Sequence, residues 1–204
     1  MMEMLKQQVP ANAVQYCWEL WHEFPFHFTL ARSRSSKLGD FRHRADREIQ
    51  RITLNHDLNI YQFLITYIHE VAHHRAFKIH GIRIKPHGVE WKRTFQRLMN
   101  PMLSDRIFPK DLLLPLKRHM QNPRASTGAD FFLLREIRKY DRPDEDRKTI
   151  YLSDLKPGAD FILKGRKFKK ESTRRTRILC LEVATGKKYL ISGSAEVDLS
   201  GLSC

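Results

Sequence analysis

The feature that most constrains this chain is the run His69-Glu70-Val71-Ala72-His73, which lies inside a segment that predicts a buried helix. The preceding residues 63–68 are almost all apolar or aromatic, and no Gly or Pro interrupts the pattern until Gly81. Burying two imidazoles and a carboxyl group costs free energy unless they are paired or hold a ligand. The run therefore predicts either a hydrogen-bonded polar cluster in the core or a metal site.

The spacing of the two histidines favours the metal site. At about 100° per residue, His69 and His73 share one face of a helix, so both imidazoles can reach one ion, while Glu70 projects close by. Zinc with three protein ligands keeps one position for water, whose pKa falls to about 7, and a neighbouring carboxylate can take the water's proton. We therefore expect a zinc-dependent hydrolase in which Glu70 is the catalytic base.

The third ligand has to come from outside this run. In the pattern H-E-x-x-H-x-x-G-x-x-H it would fall at position 79, which is Ile79, so that class of enzyme is excluded. His80 lies two turns beyond His73, roughly 10 Å along the helix axis, which is too far for a shared ion. His87 and Glu90, both after the Pro86 break, remain alternatives on the residues alone.

Three segments of the chain resemble the SprT-like family of zinc metalloproteases, which includes the Spartan DNA–protein crosslink proteases. They are the strand-like residues 52–55, the helix motif 69–74 with its doubled histidine, and the Pro-His-Gly-Val-Glu-Trp-Lys run at 86–92. The resemblance covers about residues 10–120 and implies a zincin-like fold with Zn²⁺ held by His69, His73 and His87. Glu90 then supports the site locally. It also implies protein substrates bound or crosslinked to DNA, and a role in DNA repair.

The distribution of predicted elements indicates an α+β protein of two domains. We expect a zincin-like helical metallopeptidase domain with a small β-sheet at residues 1–128, and a small basic antiparallel β-barrel-like domain at 129–204. A turn-rich Pro- and Gly-containing stretch at 122–128 marks the boundary. Helices are predicted at 11–24, 60–79, 89–99 and within 102–122, and strands at 26–32, 38–42, 51–55, 149–155, 160–168, 177–183 and 188–191.

The second domain carries a dense group of cations. The chain has 37 Lys and Arg against 23 Asp and Glu, a net charge of +14 that attracts polyanions. If residues 161–168 pair with 177–183, the tip of the hairpin presents several cations to the phosphates of nucleic acid. The alternative interpretation is a solvated loop. The predicted nucleic-acid contacts are Lys164, Arg166, Lys167, Lys169, Lys170, Arg174, Arg175 and Arg177.

A second class of function is a non-catalytic zinc-containing protein that binds nucleic acid, although a purely structural metal site needs no base such as Glu70. The departure from the family lies in the C-terminal part, because many SprT-like proteins end in a four-cysteine zinc ribbon and this chain contains only Cys17, Cys180 and Cys204. No apolar run approaches the ~20 residues of a membrane span, and the N-terminus lacks a secretory pattern. We expect a cytoplasmic protein that acts on protein substrates, without a membrane partner, and leave its oligomeric state open.

Overall fold

The computed structural model describes residues 1–34, 37–125, 130–141, 149–174 and 177–199. The chain separates into two compact units, Met1–Arg142 and Pro143–Cys204. Within the described ranges it is a mixed α+β protein with six α-helices and two β-sheets.

The first unit contains all six of these helices, and the longest of them carries the histidine motif. That helix begins where the side chain of Asn59 accepts hydrogen bonds from the backbone amides of Tyr61 and Gln62, and it ends at Gly81, whose φ is 75°. The helix predicted over 11–24 is a 3₁₀ turn followed by an α-helix, and a further helix that was not predicted, Met2–Gln8, precedes Pro10. The bounds are α1 Met2–Gln8, α2 Val14–Glu23, α3 Ile60–His80, α4 Val89–Met99, α5 Lys110–Gln121 and α6 Phe131–Arg138, with single 3₁₀ turns at Ala11–Ala13 and Asn100–Met102.

A three-stranded mixed sheet packs against α3. Its strands are β1 His27–Ala31, β2 Gly39–Arg42 and β3 Arg51–Asn55. The order is β1-β3-β2, with β1 parallel and β2 antiparallel to β3. The register aligns Phe28, Ile52 and Phe41 in one cross-strand row, and these side chains join the core or pack on it. The alternate positions project from the opposite face, and β2 is an edge strand among the described residues.

The core of the first unit is organised around α3. Phe63, Leu64, Tyr67, Ile68 and Val71 are all fully buried, so the helix is covered on most of its circumference. No helix in the described parts of the chain is both long enough and apolar enough to cross a membrane.

The second unit is one antiparallel sheet of six strands with its own small core. The order β4-β9-β5-β6-β7-β8 leaves the first and last strands unpaired with each other in the described residues, so the sheet is open. The expected barrel-like closure is therefore wrong, because β8 pairs with β7 and β4 with β9, and neither reaches the other. The strands are β4 Thr149–Tyr151, β5 Asp160–Leu163, β6 Arg166–Arg174, β7 Arg177–Glu182, β8 Lys188–Ser192 and β9 Glu196–Asp198.

The two units divide later in the chain than the boundary expected at residues 128 and 129. Those two positions lie outside the described residues. Helix α6 follows them, and its Leu133 and Ile137 belong to the core of the first unit. Because α6 buries this apolar face against the first unit, the compact unit extends to Arg142.

Candidate metal centre

Three imidazole nitrogens converge on one point beside α3. The Nε2 atom of His73 lies 3.2 Å from that of His69 and 2.9 Å from that of His87, and the third pair, His87 and His69, is 3.2 Å apart. A tetrahedral zinc with Zn–N bonds of 2.0–2.1 Å needs neighbouring nitrogens about 3.3 Å apart, close to these three distances. The three histidines thus lie close enough to hold a metal ion.

The backbone of His87 adopts a conformation that L-residues rarely take. Its φ is 58°, in the left-handed region, within a turn that the Gly88 amide closes by donating to the Lys85 carbonyl at 2.8 Å. Pro86 precedes it, so the segment has the pattern of a type II turn, where Gly or Asn is the usual residue at this position. A histidine here costs of order 1 kcal/mol or more, and such strain is concentrated at functional sites. The turn directs the imidazole back towards α3.

The indole ring of Trp91 on α4 packs against the imidazole rings of all three histidines. Its ring centroid lies 4.6 Å from that of His69, 5.2 Å from that of His73 and 4.7 Å from that of His87. The indole is fully buried, and its Nε1 donates a long hydrogen bond of 3.4 Å to the His69 carbonyl oxygen. Because one rigid side chain touches all three imidazoles, their relative positions depend on α4 as well as on α3.

Burial determines the protonation state of the three imidazole rings. It holds the pKa of His69 well below its ordinary value, with His73 and His87 acting in the same direction, and it lowers the pKa of the other two histidines as well. All three rings are therefore neutral near pH 7, with lone pairs available to a cation. The metal would be bound by uncharged ligands, as is usual for histidine sites.

Glu70 lines a cleft together with the three histidines, and the edge strand β2 packs on its side chain. Burial raises its pKa to about 8, and a hydrogen bond from the Phe41 backbone acts in the opposite direction. A Cβ atom at Gly39 would lie only 3.0 Å from the Glu70 Oε1 atom and 2.9 Å from Thr66 Cγ2, so the strand rests directly on this carboxyl group. The sequence analysis missed the roles of Gly39 and Phe41, because nothing local marks which strand covers the motif.

The cleft that contains the histidines and Glu70 has a volume of about 600 Å³. Its walls are mainly apolar, and β2, α3 and the connection between α3 and α4 supply them. The side chains that form the apolar walls are Phe41, Ile65, Phe77, Ile82, Ile84 and Trp91.

The rival ligands do not join this group in the described residues. The converging ligand atoms belong to the three histidines alone, and Glu90 and the exposed His80 are not among them. His74, which follows the candidate ligand His73 on α3, is 1% exposed and packs between Phe26 and Phe41. Neither of its ring nitrogens has a hydrogen-bond partner among the described residues.

The cations of the second unit are spread along β6 and its turns, whereas the sequence predicted that they lie together at the tip of one hairpin. Strand β6 pairs with β5 on one side and β7 on the other, so Lys164 in the β5–β6 turn lies at the opposite end of β6 from Arg174. Lys170 is 2% exposed and donates to the carbonyls of residues 152, 153 and 155, so its ammonium group is not free to bind phosphate. Its burial therefore does not favour the predicted contact of Lys170 with nucleic acid, because β6 turns that side chain inwards.

The remaining predicted contacts differ in how accessible their charge is. Arg166 pairs with Glu182, and Lys167 with Asp160. Three more lie on exposed positions: Lys169, Arg174 and Arg177. Arg175 lies outside the described residues.

Comparison of the chain with protein-family models, with curated proteins and with solved structures gave no match.

Proposed function

We propose that this chain is a zinc-dependent endopeptidase of the SprT-like kind, with a zincin-like catalytic domain. The observation that carries the proposal is the convergence of His69, His73 and His87, with nitrogens 2.9–3.2 Å apart, in a cleft that Glu70 also lines. Zinc held there by the three histidines would supply Lewis-acid chemistry that makes a water molecule a better nucleophile. The strained backbone of His87 supports the same assignment.

Glu70 supplies the base and, later, the acid. Its carboxylate accepts a proton from the attacking water and returns it to the amine of the leaving peptide. Burial raises the pKa of Glu70 to about 8, while a divalent cation nearby favours the ionised carboxylate. The two influences act in opposite directions on the pKa of Glu70, so one group can both take and give a proton.

The edge strand β2 offers a place for the substrate. Gly39, Asp40 and Phe41 line the cleft, and among the described residues β2 pairs with β3 on one side only. An extended peptide can add to such an edge through backbone hydrogen bonds, which are independent of side-chain identity. The apolar walls favour a large apolar residue beside the scissile bond, and we propose proteins bound or crosslinked to DNA as the substrate class.

Two variants and one control test the assignment. Glu70→Gln should retain stoichiometric zinc and lose at least about 100-fold in cleavage of a denatured protein substrate, since the base is removed and the ligands are not. His87→Ala should lose zinc and activity together. Glu90→Gln, which changes the rival carboxylate on the neighbouring helix, should keep both.

The assay also separates the catalytic proposal from the alternative. Unchanged proteolysis by the Glu70→Gln variant would end the assignment of the base. A wild-type protein that binds zinc but cleaves neither denatured nor DNA-bound proteins would favour the non-catalytic zinc-containing nucleic-acid-binding protein instead.

A further inference from the structure

The topology of the three-stranded sheet brings cationic side chains to one end of it. Because β1 and β3 are parallel and β2 runs the other way, the starts of β1 and β3 meet the end of β2. The register places Arg51 directly opposite His27 on one side and Arg42 on the other. All three side chains are exposed and project from the face opposite the core.

The like charges of Arg42 and Arg51 within this row are unfavourable by themselves. Directly opposite residues of like charge destabilise paired strands, and arginine is always protonated. Here Arg42 and Arg51 are adjacent across the strands, and the turn between β2 and β3 adds Arg44 and Arg47. We refer to Arg42, Arg44, Arg47 and Arg51 as the arginine cluster. An anionic ligand would convert this repulsion into attraction.

The turn that presents two of these arginines is built around one buried side chain. Gln50 is 4% exposed, and its Oε1 accepts from the Arg44 amide at 2.7 Å, while its Nε2 donates to the Arg47 carbonyl at 2.6 Å. The ring of His43 adds a contact of 3.1 Å to the same Oε1. The turn is therefore fixed by hydrogen bonds, which reduces the entropy lost when its side chains bind a ligand.

Acidic groups neutralise only part of the cluster. Asp46 accepts two hydrogen bonds from Arg44, and Asp40 lies 3.9 Å from Arg42. Within the described ranges, no acidic side chain lies at ion-pair distance from Arg47 or Arg51. These two guanidinium groups are the strongest candidates for ligand contacts, because neither has to give up an existing ion pair.

The shape at the cluster limits what it can enclose. The four arginines, His27 and Gln50 line a concavity of about 40 Å³, room for roughly three water-sized groups. That space accepts one tetrahedral oxyanion and excludes a base or a sugar. The four arginines extend from β2, from the β2–β3 turn and from β3, and all four are exposed, so further phosphates of one chain can meet the guanidinium groups around the concavity. A chain of phosphates therefore makes more contacts here than one small anion does.

We infer that the arginine cluster binds the phosphodiester backbone of a nucleic acid, without reading its sequence. The site belongs to the first unit and goes beyond the proposed peptidase activity. It lies on the sheet that also covers the cleft, since β2 runs from Gly39 against Glu70 to Arg42. Arg42 is three strand residues, about 10 Å, from Gly39. Nucleic acid bound at Arg42 would therefore lie about that far from the residue that packs on Glu70.

The test is equilibrium binding of the full chain to a fluorescent single-stranded oligonucleotide of mixed sequence, measured by anisotropy over a range of salt. Arg47→Gln/Arg51→Gln should weaken binding about tenfold at about 100 mM salt and lower the slope of log K against log salt by about 1.4, two phosphate contacts. The matched control is Arg93→Gln/Arg97→Gln on α4, with the same change in net charge at exposed positions. Circular dichroism verifies that each variant is folded.

Four outcomes would overturn the inference. They are no binding by the wild-type chain, an unchanged slope in the Arg47/Arg51 variant, an equal loss in the α4 control, and a loss confined to Lys169→Gln/Arg174→Gln in the second unit. Inorganic tripolyphosphate serves as the small-anion probe. It should displace the oligonucleotide only at a much higher concentration of phosphate groups, and equal displacement per phosphate would assign the site to a small anion instead. None of these measurements depends on peptidase activity.

Discussion

The sharpest test of the proposed catalytic geometry is a single methyl group at position 39. In Gly39→Ala the new Cβ would lie 2.9 Å from Thr66 Cγ2 and 3.0 Å from both Cγ and Oε1 of Glu70. Ordinary contacts are 3.4–4 Å, so the neighbouring atoms must retreat by about 0.4–1 Å. Overpacking of this kind costs about 1–3 kcal/mol of stability.

The same displacement should lower the rate of the proposed reaction, because atoms of the Glu70 side chain are among those that must move. Misplacing a catalytic group by about 1 Å costs on the order of 100-fold in rate, so we expect kcat to fall about 30- to 100-fold with KM changed much less. Zinc content should stay at the wild-type value, since the three heavy atoms nearest to the added methyl group belong to Thr66 and Glu70 and none belongs to a histidine.

The assay is steady-state cleavage of a quenched fluorescent peptide, with zinc measured in the same preparations. Gly39→Ala/Thr66→Ala provides the control, because it removes the Thr66 methyl contact and leaves the contact with Glu70. The double variant should recover part of the stability and little of kcat. Wild-type kcat in Gly39→Ala, or a loss of activity that merely follows a loss of zinc, would refute the reasoning.

Three further predictions concern stability, each measured by urea unfolding followed by circular dichroism. Lys170→Met should destabilise the second unit by about 2–4 kcal/mol, because three buried carbonyls lose their donor, whereas exposed Lys169→Met should change stability by less than about 0.5 kcal/mol. Asn59→Ala should cost about 1–2 kcal/mol, since Asn59 caps α3 and also donates to the Ile137 carbonyl, and no loss would contradict the cap. Burial lowers the pKa of His74 to about 4, so its protonation favours the unfolded chain: stability is highest above about pH 6.5 and falls as the pH drops towards 4. His74→Leu should remove about 1–2 kcal/mol of the stability difference between pH 8 and pH 5, and identical pH profiles would argue against this.

Much of the first unit's local structure could be predicted from the sequence. The limits of α3 and α4 follow from Asn59, Gly81 and the Asn100-Pro101 pair, because capping and chain-breaking residues act on their immediate neighbours. Strand β3 also agrees with its expected range. Helix α6 was missed, because its short apolar pattern follows a turn-rich stretch that was interpreted as the domain boundary.

The second unit was less predictable because strand pairing is non-local. The alternating segments were recognised as strands, but closure depends on whether β4 and β8 meet, and no residue within either strand decides that. The inward position of Lys170 has the same origin. Its neighbours in sequence are cations, but the alternation of side chains along a strand puts Lys170 on the same face as Phe168, and the pairing of β6 with β5 and β7 turns this face towards the core.

The sequence by itself placed His69 and His73 on one face of a buried helix, because a spacing of four residues and a helical repeat of 3.6 leave no other arrangement. Tertiary structure decided the rest of the candidate site. It turned His87 and not Glu90 towards the other histidines, and it laid Gly39 over the Glu70 carboxyl group. Those positions depend on how α4 and β2 pack against α3 across long stretches of chain, and such contacts are fixed by the whole core.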